Sequence, residues 1–176
     1  MIDASSMLGN FLQSMPGFEN LINAVAALLG LLFTGFGVFR LIEYSKETGR
    51  ITLWSIFACF AAAIGLFNFA SSVDSFLQTL WGSGTSVHSL LAYSASSSMP
   101  AQTGVALQAL IAVFRMMGYW YYISGWVRFK DVGSGHGGRD VTFKSAAIRL
   151  VGGVFLINIV ATVNAVSSTF GFGDVL

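Results

Sequence analysis

Apolar residues in this chain form four long runs instead of alternating with polar positions. The runs cover residues 20–39, 51–73, 104–127 and 150–170, and the charge within them is Arg115. Stretches such as 28–33 and 56–61 are apolar on every side of a helix, which favours a membrane span over a soluble helix bundle. Because about 20 residues carry a helix across the hydrocarbon layer, the pattern predicts an all-α chain with four transmembrane helices.

Composition strengthens this prediction. The 176 residues are 55% hydrophobic and 10% charged, whereas roughly 25% charged is usual for soluble domains. This balance excludes a disordered chain, a nucleic-acid-binding domain and a typical cytosolic enzyme. The lone cysteine, Cys59, excludes an internal disulfide. The first residues lack the basic region of a signal peptide, so we expect the spans to remain in the mature protein.

Basic residues flank two short connections between the runs. The first connection is bracketed by Arg40, Lys46 and Arg50, and the second by Arg128, Lys130, Arg139, Lys144 and Arg149. Cytoplasmic loops of membrane proteins are enriched in Lys and Arg. Both connections are therefore predicted to be cytoplasmic, with the two termini and the central segment in the periplasm of a Gram-negative cell.

The chain repeats itself in sequence. Ser-Met-Pro at 14–16 returns at 98–100. Gly30, Gly37 and Arg40 recur 88 residues later as Gly118, Gly125 and Arg128, and Asn68 recurs 90 residues later as Asn158. Repeated units of this kind indicate duplication. The sequence thus predicts a parallel internal repeat: two tandem hairpins, each built as helix, basic turn and helix.

These boundaries divide the chain into five parts. They are an N-terminal tail at 1–13, the first hairpin at 14–82, a Ser/Gly-rich non-cytoplasmic connection at 83–97, the second hairpin at 98–171 and a C-terminal tail at 172–176. Pro16 and Pro100 are expected at helix starts, where a missing N–H costs nothing. The spans contain no proline, so we expect them to be unbroken.

Small and amide residues mark the predicted helix contacts. Helices in lipid associate through small residues that let backbones approach, and through hydrogen bonds between polar side chains. The candidates for such packing are Gly30, Gly37, Asn68, Gly118, Gly125 and Asn158.

Arg115 lies about 20 Å from Arg128 along a helix, well inside the bilayer, where a charge is costly. It either pairs or snorkels within the bundle, or it contacts a second subunit, a lipid phosphate or a conduit. The acid expected nearest to it is Asp74, and the two would meet only if the helices were offset or tilted.

The other motifs do not indicate a nucleotide-binding, metal or catalytic site. The glycine-rich stretch 133–138 follows a predicted membrane helix, whereas a nucleotide-binding motif of this kind needs a strand before it. His88 and His136 fall on opposite sides of the predicted membrane, so they cannot share a metal. The aromatic stretch 119–122 is interpreted as helix packing or an interfacial belt. We predict that the chain is not an enzyme.

The layout resembles conjugative pilins of the TraA type, in which an apolar helix, a short basic turn and a second apolar helix follow one another. More specifically, the chain is similar to the TraQ/IcmC (DotE) group of small integral membrane proteins in IncI-type conjugation and Dot/Icm-type (type IVB) secretion systems. The resemblance covers residues 14–172. It rests on Ser-Met-Pro-Gly-Phe at 14–18, Gly-Phe-Gly-Val-Phe-Arg-Leu at 35–41 and the Gly-x-x-Val/Trp-x-Arg pattern around Arg128.

The resemblance implies a structural, self-associating subunit of a conjugative DNA-transfer or type IV secretion apparatus, pilin-like or conduit-forming. Its place would be the inner membrane or an extracellular pilus. The implied partners are further copies, membrane lipid, other secretion components and, transiently, transported DNA. No cofactor is expected apart from a bound phospholipid. The candidate lipid, subunit or lumen contacts are Arg40, Lys46, Arg50, Arg115, Arg128, Lys130, Arg139, Lys144 and Arg149. The alternative is a small membrane transporter or channel component, which unbroken spans would disfavour.

Overall fold

The structure, a computed structural model, describes residues 4–46, 51–82, 101–134 and 142–173. Every regular element in these ranges is a helix, which confirms the predicted all-α class. The helices are α1 (Ala4–Ser45), α2 (Leu53–Phe67), α3 (Phe69–Trp81), α4 (Ala101–Ser134), α5 (Phe143–Ile157) and α6 (Ile159–Thr169). We call α1–α3 the first unit and α4–α6 the second unit.

Each unit consists of one long helix followed by a sharply bent pair of shorter ones. The axes of α2 and α3 meet at 94°, and those of α5 and α6 at 93°. Among the described helices, α1 alone is long and apolar enough to cross a bilayer by itself, while each bent pair passes the same test when its two helices are joined. The structure therefore does not establish four straight transmembrane helices.

Both bends fall at an asparagine, without any proline. The backbone of Asn68 has φ −103° and ψ 52°, and that of Asn158 has φ −106° and ψ 55°. Across each break a hydroxyl donates back to a carbonyl oxygen: Ser72 to Gly65 at 2.7 Å and Thr162 to Phe155 at 3.0 Å. The expectation of unbroken spans is wrong because these side-chain hydrogen bonds satisfy carbonyl groups across the bend, as hydroxyls do at other helix kinks.

The second helix of each unit begins with the same cap. The backbone of Thr52 and of Thr142 is extended, and each hydroxyl accepts a hydrogen bond from the backbone N–H of the residue three positions later, Ser55 or Ser145. Such a cap satisfies one of the free donors at a helix start. The two starts are separated by the same 90 residues as the two bends.

Helix α1 begins at Ala4, so Pro16 lies inside the helix rather than at its start. The predicted start at Pro16 is wrong. Apolar residues continue at helical spacing before the proline, with Leu8 and Phe11 half-buried and Met15 buried on one face. Packing of this face holds the extra turns in place despite the proline.

Within each unit, glycines bring the helices into backbone contact. A Cβ atom placed on Gly30 would lie 2.6 Å from the backbone nitrogen of Phe67, and one on Gly118 would lie 2.7 Å from that of Ile157. Gly37 faces the ring of Phe60. Any larger side chain at Gly30 or Gly118 would force the helices apart, because the atoms that it meets belong to the backbone.

The two units pack together through α4, which covers α2 and α3 of the first unit. The indole of Trp126 fills the space beside Gly65, while the Tyr122 hydroxyl donates to Ser72 Oγ at 2.9 Å. The ring of Phe69 meets the rings of Tyr119 and Tyr122 edge to face. The buried core is therefore continuous across both units.

Helices α1 and α4 run parallel but are shifted along their axes. Contacting residues differ in number by 100 for Glu19 and Tyr119 and by 97 for Phe33 and Lys130, whereas equivalent residues in the long helices differ by 88. The shift of nine to twelve residues corresponds to about 15 Å at 1.5 Å per residue. The second unit is thus displaced along the helix axes relative to the first.

Candidate functional site

Three polar side chains meet in the buried contact between α1 and α4. The Tyr119 hydroxyl donates to Glu19 Oε1 at 2.8 Å. Arg115 lies one turn before Tyr119 on α4, is 4% exposed, and interacts electrostatically with both Tyr119 and Glu19. Arg115 is thus enclosed by its own chain. This fits the interpretation that it pairs within the helix bundle, and it leaves little of the side chain exposed to a second subunit or to lipid.

The sequence does not reveal Glu19 as a member of this cluster. The acid that it indicates, Asp74, interacts electrostatically with Tyr119 and so also lies near the cluster. Glu19 sits on the buried stripe of α1, one turn after Met15 and on the same face as Ala26 and Phe33, all of which are buried. Helical periodicity alone could have identified Glu19 as inward-facing. The axial shift of the two long helices, which the sequence did not reveal, brings it level with Arg115.

An apolar groove of about 670 Å³ runs between the same two helices. Its walls are mainly aliphatic and aromatic, formed by Leu21, Val25 and Leu29 of α1 and by Trp120, Ile123 and Val127 of α4. One end is charged, with Arg128 and Asp131 of α4 and Arg149 of α5. A groove of this kind suits a long apolar chain that carries an anionic group at one end.

The basic end of the groove is held by local contacts. Arg149 Nη1 donates to Ser124 Oγ at 3.2 Å, and its guanidinium lies 5.9 Å from the ring centre of Tyr121. Arg128 Nη1 donates to Ser145 Oγ at 3.4 Å. A guanidinium has five N–H donors, so one bond to a serine leaves further donors for an anion.

Lys130 adds a third cation beside this end. Its ammonium group lies 3.0 Å from Asp131 and 4.7 Å from the centre of the Phe33 ring. Because α1 and α4 are shifted, Lys130 lies against Phe33 and Phe36 of α1, one to two turns before Arg40.

The remaining predicted basic residues are dispersed. Arg40 Nη1 donates to Ser55 Oγ at 2.5 Å and so ties α1 to the start of α2. Lys46 and Lys144 are exposed. Arg50 and Arg139 lie outside the described residues, as do His88, His136, most of the glycine-rich stretch and the predicted connection at 83–97.

The predicted packing residues fall into two groups. Gly30, Gly37, Gly118 and Gly125 lie in the contacts inside the two hairpins. Asn68 and Asn158 instead occupy the two bends, where Asn68 is exposed and Asn158 is 2% exposed. The amide nitrogen of Asn158 has no hydrogen-bond partner.

The described residues contain no group of three or more His, Cys, Asp or Glu side chains that could hold a metal ion. Comparison with known proteins gave no relative. No protein-family model, curated protein or solved structure matches this chain. The described residues form an apolar groove with a charged end, a buried polar cluster and a largely apolar exterior.

Proposed function

We propose that this chain is a structural, self-associating membrane subunit of a conjugative DNA-transfer or type IV secretion apparatus. The observation that carries the membrane and self-association parts is the exterior of α1: only 22% of its most hydropathic 18-residue window is buried inside the chain. Exposed apolar surface on this scale requires a cover of lipid or protein. The apparatus itself is proposed from the sequence resemblance, and the proposal includes no catalytic step.

The proposal places a phospholipid in the groove between α1 and α4. Its acyl chain would run along Leu21, Val25 and Leu29, and its phosphate would lie between Arg128 and Arg149. Arginine is suited to this role because its planar donors match phosphate oxygens two at a time. The bilayer would supply this ligand without any dedicated delivery step.

Lipid retention tests the groove directly. The chain would be purified in a mild detergent, and co-purified phospholipid would be quantified per mole of protein for wild type and for the Arg128→Gln/Arg149→Gln double variant. We expect the ratio to fall at least threefold in the double variant. The matched control, Lys46→Gln/Lys144→Gln, removes the same charge at exposed positions and should retain lipid. An equal loss in both variants would reject the groove as the binding site.

The apparatus is tested in the bacterium that carries the gene. Deleting the gene should abolish plasmid transfer or effector secretion, and the wild-type gene should restore it. Mass spectrometry of sheared surface filaments would then separate a pilus subunit from a membrane-resident component. Undiminished transfer and secretion in the deletion strain would refute this part of the proposal, as would a purified chain that stays monodisperse without detergent or lipid.

The two bends favour a second candidate, a small transporter or channel component. Broken helices commonly form substrate or ion sites in transporters, and the breaks here lie at equivalent asparagines, Asn68 and Asn158. This candidate predicts solute flux into vesicles containing the purified chain and loss of that flux in Asn68→Leu and Asn158→Leu variants. Vesicles that show no flux for ions or small solutes would leave the structural role as the better account.

A further inference from the structure

The contact that joins the two units has two different faces, and each face has an equivalent elsewhere on the chain. On α4 the contact face contains Tyr119, Tyr122 and Trp126; on α2 and α3 it contains Gly65, Phe69, Ser72 and Phe76. Because opposite sides of the contact come from different parts of a repeat, the contact is head-to-tail rather than self-complementary.

The equivalent of the α4 face lies open on α1. Subtracting 88 from the α4 positions gives Leu31, Thr34 and Val38, which form one stripe along the helix. Leu31 is 60% exposed and Val38 is 44% exposed, whereas Tyr119 and Tyr122 are at most 1% exposed. The first unit therefore presents an uncovered version of the surface that the second unit uses to bind it. We call this stripe the head face.

The equivalent of the α2–α3 face lies partly open on α5 and α6, where one of its residues, Phe155, also packs edge to face on Trp81 of α3. Adding 90 gives Phe155, Ile159, Thr162 and Val166. Phe155 is 39% exposed and Val166 is 52% exposed, while Phe69, at the centre of the covered face, is 5% exposed. We call this set the tail face. Its apolar character matches that of the head face.

The contact between α1 and α4 that forms the groove also has exposed equivalents on the opposite helix. On α4, the residues equivalent to Ile22, Val25 and Leu29 of α1 are Leu110, Val113 and Met117, which are 43–52% exposed. On α1, the residues equivalent to Trp120 and Val127 are the exposed Leu32 and Phe39. Both contacts that join the units could thus be repeated by an incoming copy.

We infer that a second copy of this chain binds head to tail, its α1 head face covering the α5–α6 tail face of the first and repeating the contact between the units. The inference rests on the proposed self-association and names the faces that carry it. The internal contact includes an axial shift of about 15 Å, and a head-to-tail contact that translates each unit cannot close into a ring. Repeated addition therefore builds a rising helical filament, which favours a pilus subunit over a membrane-resident ring.

Cysteine cross-linking tests the geometry. In a Cys59→Ser background, Val38→Cys and Phe155→Cys are combined because they are equivalent to Trp126 and Gly65, which touch within the chain. We expect oxidation in lipid vesicles to give a ladder of covalent multimers from the double-cysteine protein and no ladder from either single variant. The control pair, Phe36→Cys with Phe155→Cys, uses a residue that is 53% exposed but lies on the opposite side of α1 from Val38.

Complementation provides a second measurement. Val38→Glu should damage only the head face, and Val166→Glu, at a tail-face position that is 52% exposed, only the tail face. Each variant alone should be monomeric in detergent at a concentration where wild type forms multimers, with unchanged helical circular dichroism. Mixing the two should produce dimers that grow no further, because the one intact head binds the one intact tail and both outward faces of the dimer are damaged.

The outcomes separate this inference from the proposal on which it depends. A ladder specific to the 38/155 pair and rescue on mixing support head-to-tail addition. Multimers in wild type without that ladder or rescue, or an equal ladder from the control pair, would overturn the head-to-tail geometry and leave self-association standing. A wild-type chain that stays monomeric in lipid vesicles would overturn both.

Discussion

The two units share a backbone plan but differ in what covers them. Both contain a glycine-mediated contact, a threonine cap and an asparagine bend at equivalent positions. One face of the bent helices of the first unit is buried beneath the aromatic side chains of α4, whereas the equivalent face of the second unit is partly open. The plan is therefore set within each unit, and the difference in burial reflects position in the chain.

The side chains of the two units differ at the positions where α4 covers the first unit. Tyr119 and Tyr122 of α4 stand where α1 has Leu31 and Thr34, and Gly65, which makes room for Trp126, stands where α5 has Phe155. The buried charges are likewise divided, since Glu19 is equivalent to Leu107 and Arg115 to Ala27. Each unit supplies one half of the polar cluster that joins them, and neither unit can form it alone.

The largest expected effect comes from removing one of the two buried charges. Glu19→Gln removes an anion that interacts with the buried Arg115, which should lower the free energy of unfolding by about 3 kcal/mol. Adding Arg115→Met should recover much of that loss, because the buried positive charge is then gone as well. The measurement is helical circular dichroism during titration of SDS into mild detergent.

Glu43→Gln is the matched control, because Glu43 is exposed on the same helix, and it should change stability little. If the Glu19 and Arg115 effects simply add in the double variant, the two residues are not energetically coupled and the cluster does not join the units.

The glycine contacts test whether the units are equivalent in packing. Gly153→Val places a side chain 2.7 Å from the backbone nitrogen of Tyr122, while its neighbour Gly152 has open space. We expect a loss of about 2 kcal/mol for Gly153→Val and little change for Gly152→Val, measured by the same titration. In the first unit, Gly30→Val and the control Gly35→Val should repeat this difference. A loss confined to one unit would contradict the shared plan.

The two bends should differ in how much stability is lost when their hydroxyl groups are removed. Ser72 donates across its bend and also accepts from Tyr122, whereas Thr162 donates across its own bend. At about 1 kcal/mol for each hydrogen bond, Ser72→Ala should cost about 2 kcal/mol and Thr162→Val about 1 kcal/mol. Distances between spin labels on either side of each bend would show whether the angle changes. Equal costs would mean that the Tyr122 bond contributes nothing.

The smallest effect concerns the arginines that tie the paired helices. Arg40 donates to Ser55 at 2.5 Å, but Arg128 donates to Ser145 at 3.4 Å. Because hydrogen bonds weaken with length, Arg40→Gln should lower unfolding free energy by about 1 kcal/mol and Arg128→Gln by less, with Lys46→Gln as the exposed control. A reversed order would show that Arg128 has a stronger partner in lipid than Ser145.

The sequence predicted what depends on local pattern. Helical class, the long apolar helices and the register linking Gly30 to Gly118 follow from periodicity and internal comparison. The bends escaped prediction because no proline or glycine marks them. Asn68 and Asn158 are a matched pair in the sequence. The hydroxyls of Ser72 and Thr162, four residues further along, indicate a bend only once the helix is known to break there.

The polar cluster escaped prediction for a different reason. The buried stripe of α1 could have identified Glu19 as inward-facing, but its partner depends on how far α1 and α4 slide past each other. That shift depends on the fit of large side chains such as Trp126 against Gly65, a tertiary property that periodicity does not encode. The groove has the same origin, so it too could be found only in the structure.

The displacement of α4 along α1 has a consequence for the proposed membrane location. A shift of about 15 Å is half the thickness of a typical hydrocarbon layer, so if both units span a bilayer as proposed, a flat bilayer cannot match the apolar bands of both at once. The surrounding leaflets would have to thin or tilt to follow the step, at an energy cost that grows with each ångström of mismatch.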